Sequence, residues 1–127
     1  MRVVQLPRKI EVGSYEFPIQ IVPANDKRLD DADGITYMGA EGELVPAHAI
    51  FIAARMGPKR TLDRVMHEVT HAINFVHDID EGKAKILEET VADKHGAAWA
   101  QFWIDNPKML RWLTYVVERI HKEREGG

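Results

Sequence analysis

The sequence predicts an α+β protein, with strands and loops over residues 1–57 and helices over residues 58–127. Three observations predict it. The first part is rich in β-branched and aromatic runs punctuated by Gly and Pro, and the second carries apolar residues at 3-4 spacing. Just past the junction stands the stretch His67-Glu68-Val69-Thr70-His71, with Val65, Val69, Ala72, Ile73 and Val76 forming one helical apolar stripe through it.

At 127 residues the chain is expected to form a single domain, 1–127, long enough for a real core and too short for a second lobe. The hydrophobic share of 45% and charged share of 29% are those of an ordinary globular protein. A net charge of -3 with interspersed signs argues against nucleic acid or an anionic membrane as partner. No apolar run reaches the length of a membrane span, and residues 1–7 are too soon interrupted for a signal peptide. With Cys 0, disulfides and thiolate zinc ligands are excluded, so a zinc site has to use His, Glu or Asp. A cytoplasmic location is expected.

The elements follow in order. Residues 10–12 and 15–22 alternate in polarity, and Gly13-Ser14 suits a two-residue hairpin turn. Pro18 lacks an amide donor, which suggests an edge or bulged strand. Residues 23–34 hold Asn25, Asp26, Asp30, Asp31 and Asp33 and read as a solvated acidic loop; Asp31 to Gly34 cover only a fragment of a calcium loop. Residues 35–38 form a short strand. Residues 48–55 form the strongest one, apolar enough for burial on both faces. Gly57-Pro58 breaks it, and Thr61 with Asp63 suits the start of the motif helix.

A second helix is expected over about residues 83–104 and a third from Asn106-Pro107, a cap followed by proline at the first helical position. Its apolar stripe is read as Leu110, Leu113, Val117 and Ile120, with Trp112 and Val116 alongside, and residues 121–127 as a fraying tail. Trp99, Phe102 and Trp103 are expected to pack helices together, and Gly96 to mark a close helix approach.

The chemistry lies in the motif. Histidines four apart share one helical face, one turn above each other, so His67 and His71 can bind one Zn²⁺ while Glu68 stands beside it as a base for water. The histidines are placed at the border of the apolar stripe, at the floor of a cleft. A hydrolytic zinc site takes three protein ligands and keeps one position open. Two residues compete for third ligand. Glu89 shares a helical face with Asp93, which could orient a ligand histidine through its far nitrogen; Glu88 points about a quarter-turn away. Alternatively, residues 67–77 approach the metzincin form H-E-x-x-H-x-x-G-x-x-H, with Asn74 in place of Gly and His77 as third ligand. That form needs the helix to end at Asn74. If it continues, His77 lies about 240° round the axis from His71 and faces away. Glu89 is the preferred reading. His48, His95 and His121 are read as surface or packing residues.

The order of strand hairpin, apolar strand, HExxH helix and a helix carrying Glu89, Ala92 and Asp93 as ExxAD resembles the compact zincin metallopeptidases of bacteria and their phages, including those related to repressor-cleaving metallopeptidases. The resemblance covers roughly residues 10–107, and HExxH is its one specific motif. It implies a minimal zincin fold: a small twisted sheet packed on the active-site helix, with substrate beside an edge strand. It also implies His67, His71 and Glu89 as metal ligands and Glu68 as catalytic acid and base. A zinc peptidase acting on a protein or peptide is therefore expected. The rival is a catalytically silent zinc-binding domain that acts by binding a regulatory protein. Tyr37 and Tyr115 are the candidates for an oxyanion donor.

Overall fold

The computed structural model describes residues 3–39, 48–77 and 88–126, with the side chains of 88–94, 96 and 126 outside the description. The architecture is α+β. Four strands, β1 (Lys9–Val12), β2 (Tyr15–Val22), β3 (Gly34–Met38) and β4 (His48–Ala53), are followed by helices α1 (Pro58–Val76), α2 (Glu88–Asp105) and α3 (Pro107–Gly126). The mixed sheet has the order β1-β2-β4-β3. β1 and β2 pair antiparallel, β2 and β4 parallel, and β3 and β4 antiparallel.

The hairpin forms where glycine allows it: Gly13 takes φ 59° at the first turn position, which a side chain would resist. β2 is interior, contrary to the expectation raised by Pro18. The proline is accommodated by a change of partner. It is the last β2 residue paired with β1, opposite Lys9, and pairing with β4 begins at Ile19. The Ile19 amide donates to Arg8 O at 2.8 Å, so the Pro18 nitrogen faces away from β1 and no rung of that ladder is lost.

β4 is buried on both faces, as its composition predicts. Ile50 and Ile52 join Ile10, Val12, Phe17 and Ile19 beneath the helices, while Ala49, Phe51 and Ala53 pack with Val22 and Leu29 on the other side. The strand stops at Ala53, two residues short of the expected end, because Arg55 turns into the left-handed region at φ 64°. α1 starts at Pro58 instead of Thr61: Gly57 is the cap, and proline at the first position needs no donor there.

Asn106 sets the start of α3. Its side-chain nitrogen donates to Glu11 O and Phe102 O, both at 2.8 Å, and its oxygen accepts from the Glu11 amide at 2.9 Å. This clamp between β1 and the α2–α3 corner rotates α3 so that Met109, Trp112 and Val116 are buried, with Leu110 and Val117 left exposed. The stripe read from sequence was thus one step round the helix from the one that packs. The expected tail is helical as far as Gly126, with Arg119–Glu123 and His121–Glu125 paired one turn apart. Phe102 is buried, and Trp99 and Trp103 pack against the same core. The expected first turn of α2, over residues 83–87, and the approach at Gly96 lie outside the described residues. No described helix is long and apolar enough to cross a membrane.

Candidate metal centre

The rotation of α1 is fixed by Val65, Val69, Ala72 and Ile73, each fully removed from solvent against the sheet and the other helices. Burial of each of the Val and Ile side chains stabilises by about 1.5–3 kcal/mol, so the opposite face of α1 is held outward. His67 is exposed on that face and His71 half-buried. The pair therefore stands further from the core than the border of the stripe, where the sequence placed it.

The Nε2 atoms of His67 and His71 are 3.1 Å apart, with ring centroids 4.7 Å apart and planes at 84°. Two nitrogens at about 2.0–2.1 Å from one tetrahedral zinc are separated by about 3.3–3.4 Å. The two Nε2 atoms thus already stand at nearly the spacing a shared metal requires. Without metal, the same distance is a hydrogen bond from a protonated ring nitrogen to an unprotonated one.

Glu68 is the buried member of the motif, 3% exposed. It lies about 100° round the axis from His67, on the side of β3. The Thr36 hydroxyl contacts Glu68 Oε1 at 2.9 Å and its backbone oxygen at 3.0 Å, sharing one proton between two acceptors. Glu68 Oε2 has the Arg64 guanidinium at 3.6 Å, an ion pair too long for a hydrogen bond. Gly34 makes this approach possible: a Cβ there would come within 2.6 Å of Arg64 Cγ and 3.2 Å of Glu68 Oε2. Sequence reasoning missed Thr36, Gly34 and Arg64. Arg64 was readable, being four residues before Glu68 on the same face. Thr36 and Gly34 carry no such signal, since only the docking of β3 on α1 brings them to Glu68.

Of the third-ligand candidates, α1 continues without a break through Asn74 to Val76, and the His77 amide donates to Ile73 O at 3.0 Å. The left-handed break at Asn74 that the metzincin form requires is absent, and His77 leaves the helix on another side from His71. Asn74 is instead buried, and its Oδ1 accepts from His95 Nε2 at 2.7 Å, tying α2 to α1. Glu88, Glu89 and Asp93 belong to α2, but their side chains lie outside the described residues. Among the described residues, no group of three His, Asp or Glu is placed to hold a metal. His67 and His71 are the part of the ligand set that the structure brings together.

The remaining histidines have neighbours of their own. His48 packs among Tyr15, Phe17 and Phe75, with centroids 5.0, 5.3 and 5.9 Å away. His121 pairs with Glu125 on the surface. The Tyr37 hydroxyl donates to Arg28 O at 2.5 Å, on the far face of the sheet. Tyr115 lines a cavity of about 1370 Å³ between residues 3–9 and α3, to which neither motif histidine contributes. Neither tyrosine stands ready as an oxyanion donor.

No family model, curated protein or solved structure matches this chain.

Proposed function

We propose that the protein is a zinc-dependent peptidase of the compact zincin type, with His67, His71 and Glu89 as ligands, Glu68 as general base and acid, and Asp93 orienting a ligand histidine. The observation that carries this is the approach of His67 and His71 Nε2 to 3.1 Å on the outward face of α1, where among the described residues their ring contact is with each other. Zinc, when bound, supplies Lewis acidity: it makes water nucleophilic near neutral pH and polarises a carbonyl oxygen. Glu68 would accept a proton from the attacking water and return it to the leaving amine. The Thr36 hydroxyl holds Oε1 and so fixes the plane of the carboxylate. Oε2, which no hydrogen bond reaches among the described residues, is the oxygen left to take the proton. The absence of cysteine and of an apolar run long enough to span a membrane supports a cytoplasmic setting.

A second reading is favoured by one contact. Thr36 engages both the backbone and the carboxylate of Glu68, which is also what a purely structural tie between β3 and α1 would do. In that case the domain binds zinc and a regulatory protein without turnover. Glu68→Gln separates the two, because a glutamine oxygen accepts the same Thr36 bond while the proton acceptor is lost. The expected result is about one zinc per chain in both proteins and peptide hydrolysis in the wild type alone. Hydrolysis by Glu68→Gln at the wild-type rate would defeat the mechanism, and a protein that takes up no zinc would defeat both readings.

A further inference from the structure

The face of α1 that carries the histidine pair is chemically different at its two ends. Arg64, His67, Glu68, His71 and Phe75 fall within about 100° of arc, and Arg64 and Phe75 are about 16 Å apart along the axis with the histidines between them.

At the first end stands a cation. Packing on Gly34 holds the Arg64 stem, and its side chain keeps 35% of its surface in solvent. Among the described residues no hydrogen bond uses its guanidinium; Glu68 is 3.6 Å away and already served by Thr36. The neighbouring Arg60 is different, since it is bonded to Asp33. At the other end stands an exposed aromatic cluster from three elements. Phe75 is 44% and Tyr15 43% exposed, and their centroids are 6.1 Å apart, with His48 5.0 Å from Tyr15 and 5.9 Å from Phe75. None of the three belongs to either buried core cluster.

β3, at the edge of the described sheet, runs from one end to the other. Gly34 lies against Arg64, Thr36 bonds Glu68, and Met38, itself exposed, is paired with His48. The strand spans about 13 Å over that course, close to the distance from the cation to the rings.

The geometry points to a substrate class: an extended peptide that places a carboxylate at Arg64 and a large aromatic side chain on the Phe75–Tyr15–His48 cluster, about five residues apart, with the histidine pair between them. This rests on the peptidase reading for what happens to the bond in the middle, but not for the recognition itself. The carboxylate is either an acidic side chain or a chain terminus, and both offer the paired oxygens that guanidinium binds.

The test uses the zinc-loaded 127-residue chain and fluorescein-labelled hexapeptides with Glu and Phe at opposite ends, in both chain directions. Companions carry Gln for Glu, Ala for Phe, or an amide in place of the terminal carboxylate. The expected result is roughly tenfold weaker binding on replacing Glu or Phe, in at least one chain direction. A drop confined to the terminal amide assigns the carboxylate to the chain end. Arg64→Gln should erase the preference for the acid and Arg64→Lys restore part of it, while Phe75→Ala should erase the preference for Phe and leave the other intact. Far-ultraviolet circular dichroism checks that the variants fold. Equal binding of all the peptides, or preferences that survive in Arg64→Gln and Phe75→Ala, overturns the inference. Hydrolysis of the same peptides is followed in parallel: cleavage without the preference sinks the recognition and spares the peptidase, and selective binding without cleavage does the reverse.

Discussion

Two polar regions of the molecule, the acidic loop over residues 23–33 and the outward face of α1, meet different ends. In the loop three charged groups, Asp26, Arg28 and Asp33, are consumed by the fold. Asp26 caps a short 3-10 helix (Lys27–Leu29) by accepting from the Arg28 amide at 2.9 Å, and its carboxylate also takes the Arg28 guanidinium at 2.8 and 3.0 Å. Arg28 in turn lies 4.6 Å over the Phe51 ring, its carbonyl takes the Tyr37 hydroxyl, and Leu29 is buried beneath. Asp33 is bonded to Arg60. On α1, by contrast, His67 and His71 have each other, and Arg64 has a long ion pair. Both regions hold metal-ligating residue types. What separates a candidate site from a structural loop is that, among the described residues, its two ring nitrogens meet only each other, whereas Asp26 and Asp33 tie one part of the fold to another.

The largest expected effect tests that contrast on the histidines. His67→Ala or His71→Ala should abolish tight zinc binding while the apo-protein keeps its melting temperature, since both rings stand on the face of α1 turned away from the described core. A large fall in apo-protein stability would make the pair structural, like Asp26. In chelator competition the order of damage should then be Glu89→Ala, Glu88→Ala, His77→Ala. Zinc lost with His77→Ala and retained with Glu89→Ala would contradict the proposed ligand set.

The loop should answer in stability instead. Leu29→Ala should destabilise by about 2–5 kcal/mol, through lost burial and the cavity left behind. The check is denaturant unfolding, with zinc content of the folded protein unchanged; a variant as stable as wild type would mean that the loop is not anchored there. A smaller effect is expected from Asp93→Ala, about 10- to 100-fold in zinc affinity or activity if Asp93 orients a ligand histidine. No change in either would return Asp93 to a solvated helix charge.

The smallest effect is one of pH. The Arg28 side chain, helped by the Arg28 amide, holds the Asp26 carboxyl down to about 2 from its ordinary 3.8. A carboxyl depressed on folding contributes stability above its unfolded value, and that contribution fades as pH falls from about 4 to about 2. Asp26→Asn should flatten this part of the acid limb in urea titrations, and a limb identical to wild type would show that the pairing adds nothing in solution.

Much of this was legible in the sequence. The hairpin at Gly13-Ser14, the doubly buried β4, the motif helix and the α3 start at Asn106-Pro107 each follow from local chemistry: turn residues, a continuous apolar run, 3.6 periodicity, a cap. The same periodicity placed His67 and His71 on one face, and its persistence through Ile73 and Val76 foretold that the helix would not end at Asn74. Other features were not local. Pro18 in an interior strand depended on which neighbour that strand pairs with at each residue. The buried stripe of α3 depended on a clamp to β1, ninety-five residues away in sequence.

By itself, the sequence determined which residue types stand at helical spacing, and therefore that two imidazoles and a carboxylate share one turn of α1. Only the tertiary structure decided which of them is open and which is enclosed. The docking of β3 buries Glu68 under Thr36 and Gly34 and leaves the histidines facing outward. The physical reason is that periodicity fixes angles around one helix axis, whereas burial depends on what packs against each angle, and strand order sets that.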